Sequence, residues 1–100
     1  MQAVYFQATP NSGDLEEIHT QMSAEMRDLA KQTGGFIEWR DCTDGSTYWG
    51  LILFDSEEAV LEWRNHPRHA EIHRRGEEDV YSSFSTKVFE LVRESDWSKK

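Results

Sequence analysis

The segment Thr47 to Phe54 constrains this chain more than any other. Along an extended strand successive side chains point to opposite faces. Tyr48, Ile52 and Phe54 therefore share one face, and Trp49, Leu51 and Leu53 share the other. A strand that is apolar on both sides must be covered on both sides. One layer of helices covers only one face of a single sheet. The other face calls for a second copy of the chain, so the expectation is a homodimer formed through the open sheet face.

The remaining residues complete one small α+β domain, because 100 residues hold one hydrophobic core and not two. Gln2 to Ala8 is apolar and aromatic and ends at Thr9, Pro10, Asn11, Ser12 and Gly13, a loop cluster, which predicts an opening strand. Asp14 with Glu17 three residues on fits a capping box. Leu15, Ile18, Met22, Met26 and Leu29 then follow at helical spacing. Lys31 suits the last turn, and Gly34 and Gly35 predict the stop. Phe36 to Arg40 reads as the second strand, and Asp44 and Gly45 as a hairpin turn before the third.

Ser56 is placed to cap a second helix, with Glu57 and Glu58 at its positive end. Pro67 has no N–H to give to a helix interior. The spacing predicts a break at Asn65 and His66, with Pro67 opening a second helical piece to about Glu77. Tyr81 to Val92 is the last predicted strand. The order β-α-β-β-α-β makes a ferredoxin-like sandwich over residues 1–94, with a polar tail over 95–100.

Composition narrows the function. A formal net charge of −8 repels phosphate backbones, which argues against nucleic-acid binding. No apolar run reaches the length of a membrane span and no charged-then-apolar signal stretch opens the chain, so cytoplasmic residence is expected. The single Cys42, beside a turn and with no histidine near it in sequence, reads as a passive thiol in a reducing compartment. His66, His69 and His73 lie at i, i+3 and i+7, a spacing that can hold a divalent metal on a continuous helix. Pro67 disturbs that face and no carboxylate completes the set, so no metal site is expected and His66 reads as part of the helix start.

Phe54 to Ala59, followed by Trp63, Arg64, Asn65, His66, Pro67, Arg68 and His69, resembles the second-helix signature of the antibiotic biosynthesis monooxygenase family. Gly34, Gly35 and Phe36, then Arg75 and Gly76, and the strand from Tyr81 to Arg93 fit the same pattern, so the resemblance spans nearly the whole chain. It implies a dimeric α+β barrel in which two sheets pack face to face. It also implies chemistry without a cofactor, in which an anionic phenol or enol gives an electron to dioxygen. The protein then supplies orientation, a dry cavity and polar contacts. On this reading Gln7, Trp63 and His73 are the catalytic candidates. Tyr5, Trp39, Tyr48 and Trp49 line the pocket of a small aromatic or quinone-like substrate, although Trp39 and Trp49 equally suit a place in the core.

Two other readings stay open. Trp63 and His73, ten residues apart, resemble the pair of the heme-degrading branch, in which the histidine ligates heme iron and the tryptophan presses on the porphyrin. That branch has Asn where Gln7 stands here, one methylene shorter. Arg74 and Arg75 read as solvated; at most one of these adjacent residues could face the pocket and meet a heme propionate or a substrate carboxylate. The third reading is a non-catalytic dimeric ligand-binding or stress-response domain, with Trp63 in the core and His73 on the surface.

Overall fold

Strand β3 (Tyr48–Phe54) lies inside a four-stranded antiparallel sheet, and its two faces meet different surroundings. The computed structural model describes residues 1–99. The other elements are β1 (Gln2–Pro10), α1 (Glu16–Lys31), β2 (Phe36–Thr43), α2 (Glu57–Arg64), α3 (Pro67–Arg75) and β4 (Tyr81–Glu90). The strand order is β2-β3-β1-β4, with β2 and β4 at the edges. This is the expected ferredoxin-like arrangement, with the second helix in two pieces. No helix among the described residues is long and apolar enough to cross a membrane.

Ile52 and Phe54 are fully buried against the helices, whereas Leu51 on the opposite face is 41% exposed. Register extends that open face across the sheet. Tyr5 lies opposite Leu51, Gln7 opposite Trp49, and Ala3 between Leu53 and Phe89. The tail does not cover it, because Trp97 is 84% exposed and Val92 is also open to solvent.

Two irregularities turn extra aromatic rings inward. The β2–β3 register shifts between Phe36 and Glu38, so Phe36 and Trp39 both pack on the core although an odd number of steps separates them. The β1–β4 register shifts at Thr9 and Pro10, and Tyr81 and Phe84 both come to face the helices. The hairpin turn forms as the sequence predicts. Gly45 adopts φ +97°, and the Asp44 carboxylate accepts from Ser46 N and Thr47 N, each at 2.9 Å.

Helix ends depart from the sequence reading in two places. A 3₁₀ turn, Gly13–Leu15, takes up Asp14, and α1 starts at Glu16 with no side-chain cap. At the other end α1 stops at Lys31 with right-handed Gln32 as its cap. Gly35 instead serves close approach: a methyl there would overlap Asp55 Oδ1 and lie 2.6 Å from Ala59 Cβ. The second helix behaves as expected. Ser56 Oγ accepts from Ala59 N at 3.2 Å, and Pro67 opens α3 behind His66, whose Nδ1 accepts from Arg68 N at 3.0 Å. A π-helical turn, Gly76–Val80, joins α3 to β4, which ends at Glu90 and not at Val92.

The core has two parts. Val4, Ile52, Phe54, Val60 and Trp63 form the larger, and Met22, Ile72 and Val80 the smaller; Met26 and Leu29 pack against both. A cavity opens where the two parts meet.

Candidate functional site

A cavity of about 90 Å³ lies between the helices and the sheet, almost wholly apolar in its lining. Its sheet wall is set by the alternation of β1, whose even-numbered Val4 and Phe6 point to the helices. The Phe6 ring lies over Gly50, where any Cβ would overlap it, and stacks parallel to Phe84 at 6.3 Å. Trp39 and Trp63 close the next side, edge to face at 6.2 Å. Trp63 is 7% exposed, and its Nε1 donates to the Met26 carbonyl at 3.0 Å. A wider groove of about 450 Å³ shares Trp63, His69 and His73 with the cavity and carries Arg64 and Arg74.

The ionisable groups of the cavity fall into two pairs and one lone imidazole. His73, at the rim, holds Nδ1 3.1 Å from Glu77 Oε1 and rests its edge on Phe84. That contact puts a carboxylate beside Nδ1 and leaves Nε2 clear of it. His69, beside Trp63 at 4.4 Å between ring centres, is pushed down to about 4 by burial, then by neighbouring His73, Arg64 and His66. It is neutral at ordinary pH. His19 on α1 places Nδ1 2.5 Å from the Tyr81 hydroxyl and stacks on Tyr48 at 3.7 Å. Burial lowers His19 against the opposing pull of Asp41 and Glu16. Tyr81 is pushed up to about 12 by burial, then by Tyr48.

Trp39, Trp63 and His73 thus meet at one cavity. Trp63 and His73 do so from separate helices, across the break at Asn65 and His66. Tyr48 touches the cavity only through His19. Gln7, Tyr5 and Trp49 are corrected by strand alternation: all three lie on the open face, where Tyr5 donates to Gln7 Oε1 at 3.0 Å. Phe6, and not Gln7, is the β1 side chain at the cavity mid-wall. His66 is used as the α3 cap, and Arg74 is paired with Glu78 at 2.7 Å on the surface. Cys42 is exposed.

The sequence reading missed His19, Glu77, Tyr81 and Phe84 and considered His69 only within a metal spacing that it set aside. His19 had a signal, since Leu15, His19, Met22 and Met26 run at helical spacing and make it a polar residue on an apolar stripe. Glu77 had one too, four residues after His73. Phe84 and Tyr81 had none, because it is the irregular register at Thr9 and Pro10 that brings both of them inward.

No family model matches the chain, and no curated protein matches its sequence. Solved structures match its fold. A candidate antibiotic biosynthesis monooxygenase from Deinococcus radiodurans superposes with a TM-score of 0.86 at 11% identity, over 99% of this chain and 100% of that one. Rv0793 from Mycobacterium tuberculosis gives 0.81 at 16% identity, over 95% and 98%. SnoaB, a cofactor-independent oxygenase from Streptomyces nogalater, gives 0.76 at 9% identity, over 93% and 94%. At such identities the likeness is one of fold, and this chain has the ferredoxin-like α+β fold of SnoaB and the Deinococcus protein.

Proposed function

We propose that this protein is an oxygenase of the antibiotic biosynthesis monooxygenase type. It works without a cofactor, as a homodimer, on a small phenolic or hydroquinone-like aromatic molecule. The observation that carries the reading is His73, held through Nδ1 by Glu77, at the rim of an apolar cavity walled by Phe6, Trp39, Trp63 and Phe84. A flat ring packs between those aromatic walls. His73 Nε2 takes the proton of the substrate hydroxyl, and the phenolate passes one electron to dioxygen. The two radicals join at a ring carbon. Breaking the O–O bond with loss of the ring C–H proton leaves one oxygen atom in the quinone and releases the other as water. The substrate supplies all the electrons, so no external reductant is needed. Exclusion of bulk water keeps the reduced oxygen beside the ring.

The homodimer part of the reading rests on the open sheet face. Trp49, Leu51, Leu53 and Phe89 form an apolar surface that the tail leaves uncovered, and a second copy of the sheet would bury it.

Oxygen uptake with a panel of naphthols and hydroquinones tests the reading. Metal-free protein is expected to consume oxygen with at least one of them, and His73→Ala to lower the rate by about 100-fold or more. Uptake no faster than in buffer overturns the proposal. The same histidine geometry favours one rival, because a carboxylate on Nδ1 also orients an imidazole for metal ligation. The cavity is smaller than a porphyrin, which would have to occupy the adjoining groove. A hemin Soret shift that His73→Ala abolishes would transfer the function to heme.

A further inference from the structure

His19 and Tyr81 form a buried pair that the account above leaves unused. Tyr81 lines the cavity, and its hydroxyl lies 2.5 Å from His19 Nδ1. His19 is 6% exposed, yet it also lines a second, outer groove of about 250 Å³ with Arg27, Asp41, Cys42 and Tyr48. One imidazole therefore lines both the cavity, beside Tyr81, and the outer groove. We propose that Tyr81 is the proton donor to the reduced oxygen of the reaction, and that His19 reloads it from the outer groove.

The proposal rests on the oxygenase reading and adds a second catalytic residue to it. The step balances. Once dioxygen has joined the ring, Tyr81 gives its hydroxyl proton to the distal peroxide oxygen, and His19 gives the Nδ1 proton to the Tyr81 oxygen. His19 Nε2 then takes a proton from water in the groove, and exchange with water after product leaves returns the ring to its Nδ1–H form. Hydroxide leaves as the O–O bond breaks, and the ring C–H proton turns it into water. The proton that His73 removed at the start equals the one Tyr81 delivers, so turnover consumes no net proton.

Every group around His19 fits this role. Burial keeps Tyr81 protonated at ordinary pH, since its hydroxyl is pushed up to about 12. Burial also keeps His19 neutral, which leaves one nitrogen free to gain a proton while the other loses one. Tyr48 of β3 stacks on the ring and fixes its plane. Asp41 of β2 and Glu16 of α1 draw a proton toward it, and Arg27 of α1 lines the same groove. A purely structural tyrosine–histidine bond would not need a solvent-facing groove behind the imidazole.

The test compares wild type, Tyr81→Phe and His19→Ala in oxygen uptake and quinone yield with the panel substrate that wild type turns over fastest. Both variants are expected to lose about 100-fold in kcat with KM within about threefold, and to release hydrogen peroxide in place of part of the quinone. Added imidazole should restore His19→Ala and leave Tyr81→Phe unchanged. Quenching of tryptophan fluorescence by 2-naphthol should persist in both, which shows an intact cavity. Variants that keep wild-type kcat and quinone yield, or a His19→Ala loss that imidazole does not relieve, overturn the relay and leave the oxygenase reading standing. Absence of wild-type uptake overturns both.

Discussion

Trp63 Nε1 donates to the backbone carbonyl of Met26 at 3.0 Å, and this one bond ties α2 to α1 while standing the indole upright as a cavity wall. The ring is core and site at once, packed on Phe54, Trp39 and His69. Trp63→Phe keeps most of the buried area but loses the bond, at a cost of about 1–2 kcal/mol. Trp63→Ala removes the wall and should cost about 3–5 kcal/mol. Denaturant midpoints measure both. Equal losses in the two variants would mean that packing around Trp63 contributes little.

His69 makes stability depend on pH. Its imidazole is held at about 4 in the folded chain against an ordinary 6.5. Below pH 6.5 the unfolded chain binds a proton that the folded chain refuses, so stability falls as pH falls from 6.5 to about 4 and the effect levels off below that. Allowing for the partial exposure of the ring, the loss is roughly 1–2 kcal/mol. His19 adds in the same direction. Urea midpoints at pH 7 and pH 4.5 for wild type and His69→Phe should differ in slope by that amount. A His69→Phe variant with the wild-type pH dependence would contradict the assignment.

The open face makes its own prediction. Leu51 and Leu53 stand among apolar neighbours on the sheet surface that no helix covers. In a dimer closed through that surface, Leu51→Asp buries an unpaired carboxylate, which costs several kcal/mol. Sedimentation at micromolar concentration should give a dimer mass for wild type and a monomer mass for Leu51→Asp. A monomeric wild type would remove the homodimer from the account.

The sequence was most informative where local chemistry decides the outcome. Pro67 fixed the break between α2 and α3, Ser56 and Gly45 fixed a cap and a turn, and the two apolar faces of β3 fixed the layering. Trp63 and His73 were legible as a pair through the resemblance and their spacing, and α2 and α3 bring both to the same cavity. What stayed hidden depends on phase and not on residue type. Tyr5, Gln7 and Trp49 read as pocket residues, yet strand alternation points them away from the helices. A one-residue irregularity reverses that phase for Trp39 and brings it in. The pairing of His19 with Tyr81 joins residues 62 positions apart, and no periodicity within either segment carries that information.

The most direct measurement of the central claim is the isotopic content of the product formed under ¹⁸O₂ by metal-free protein. The account predicts a quinone that carries one heavy oxygen atom per molecule, formed with the substrate as sole reductant and lost in His73→Ala. A product without heavy oxygen, or one formed at the same rate by His73→Ala, would contradict oxygenation at this cavity.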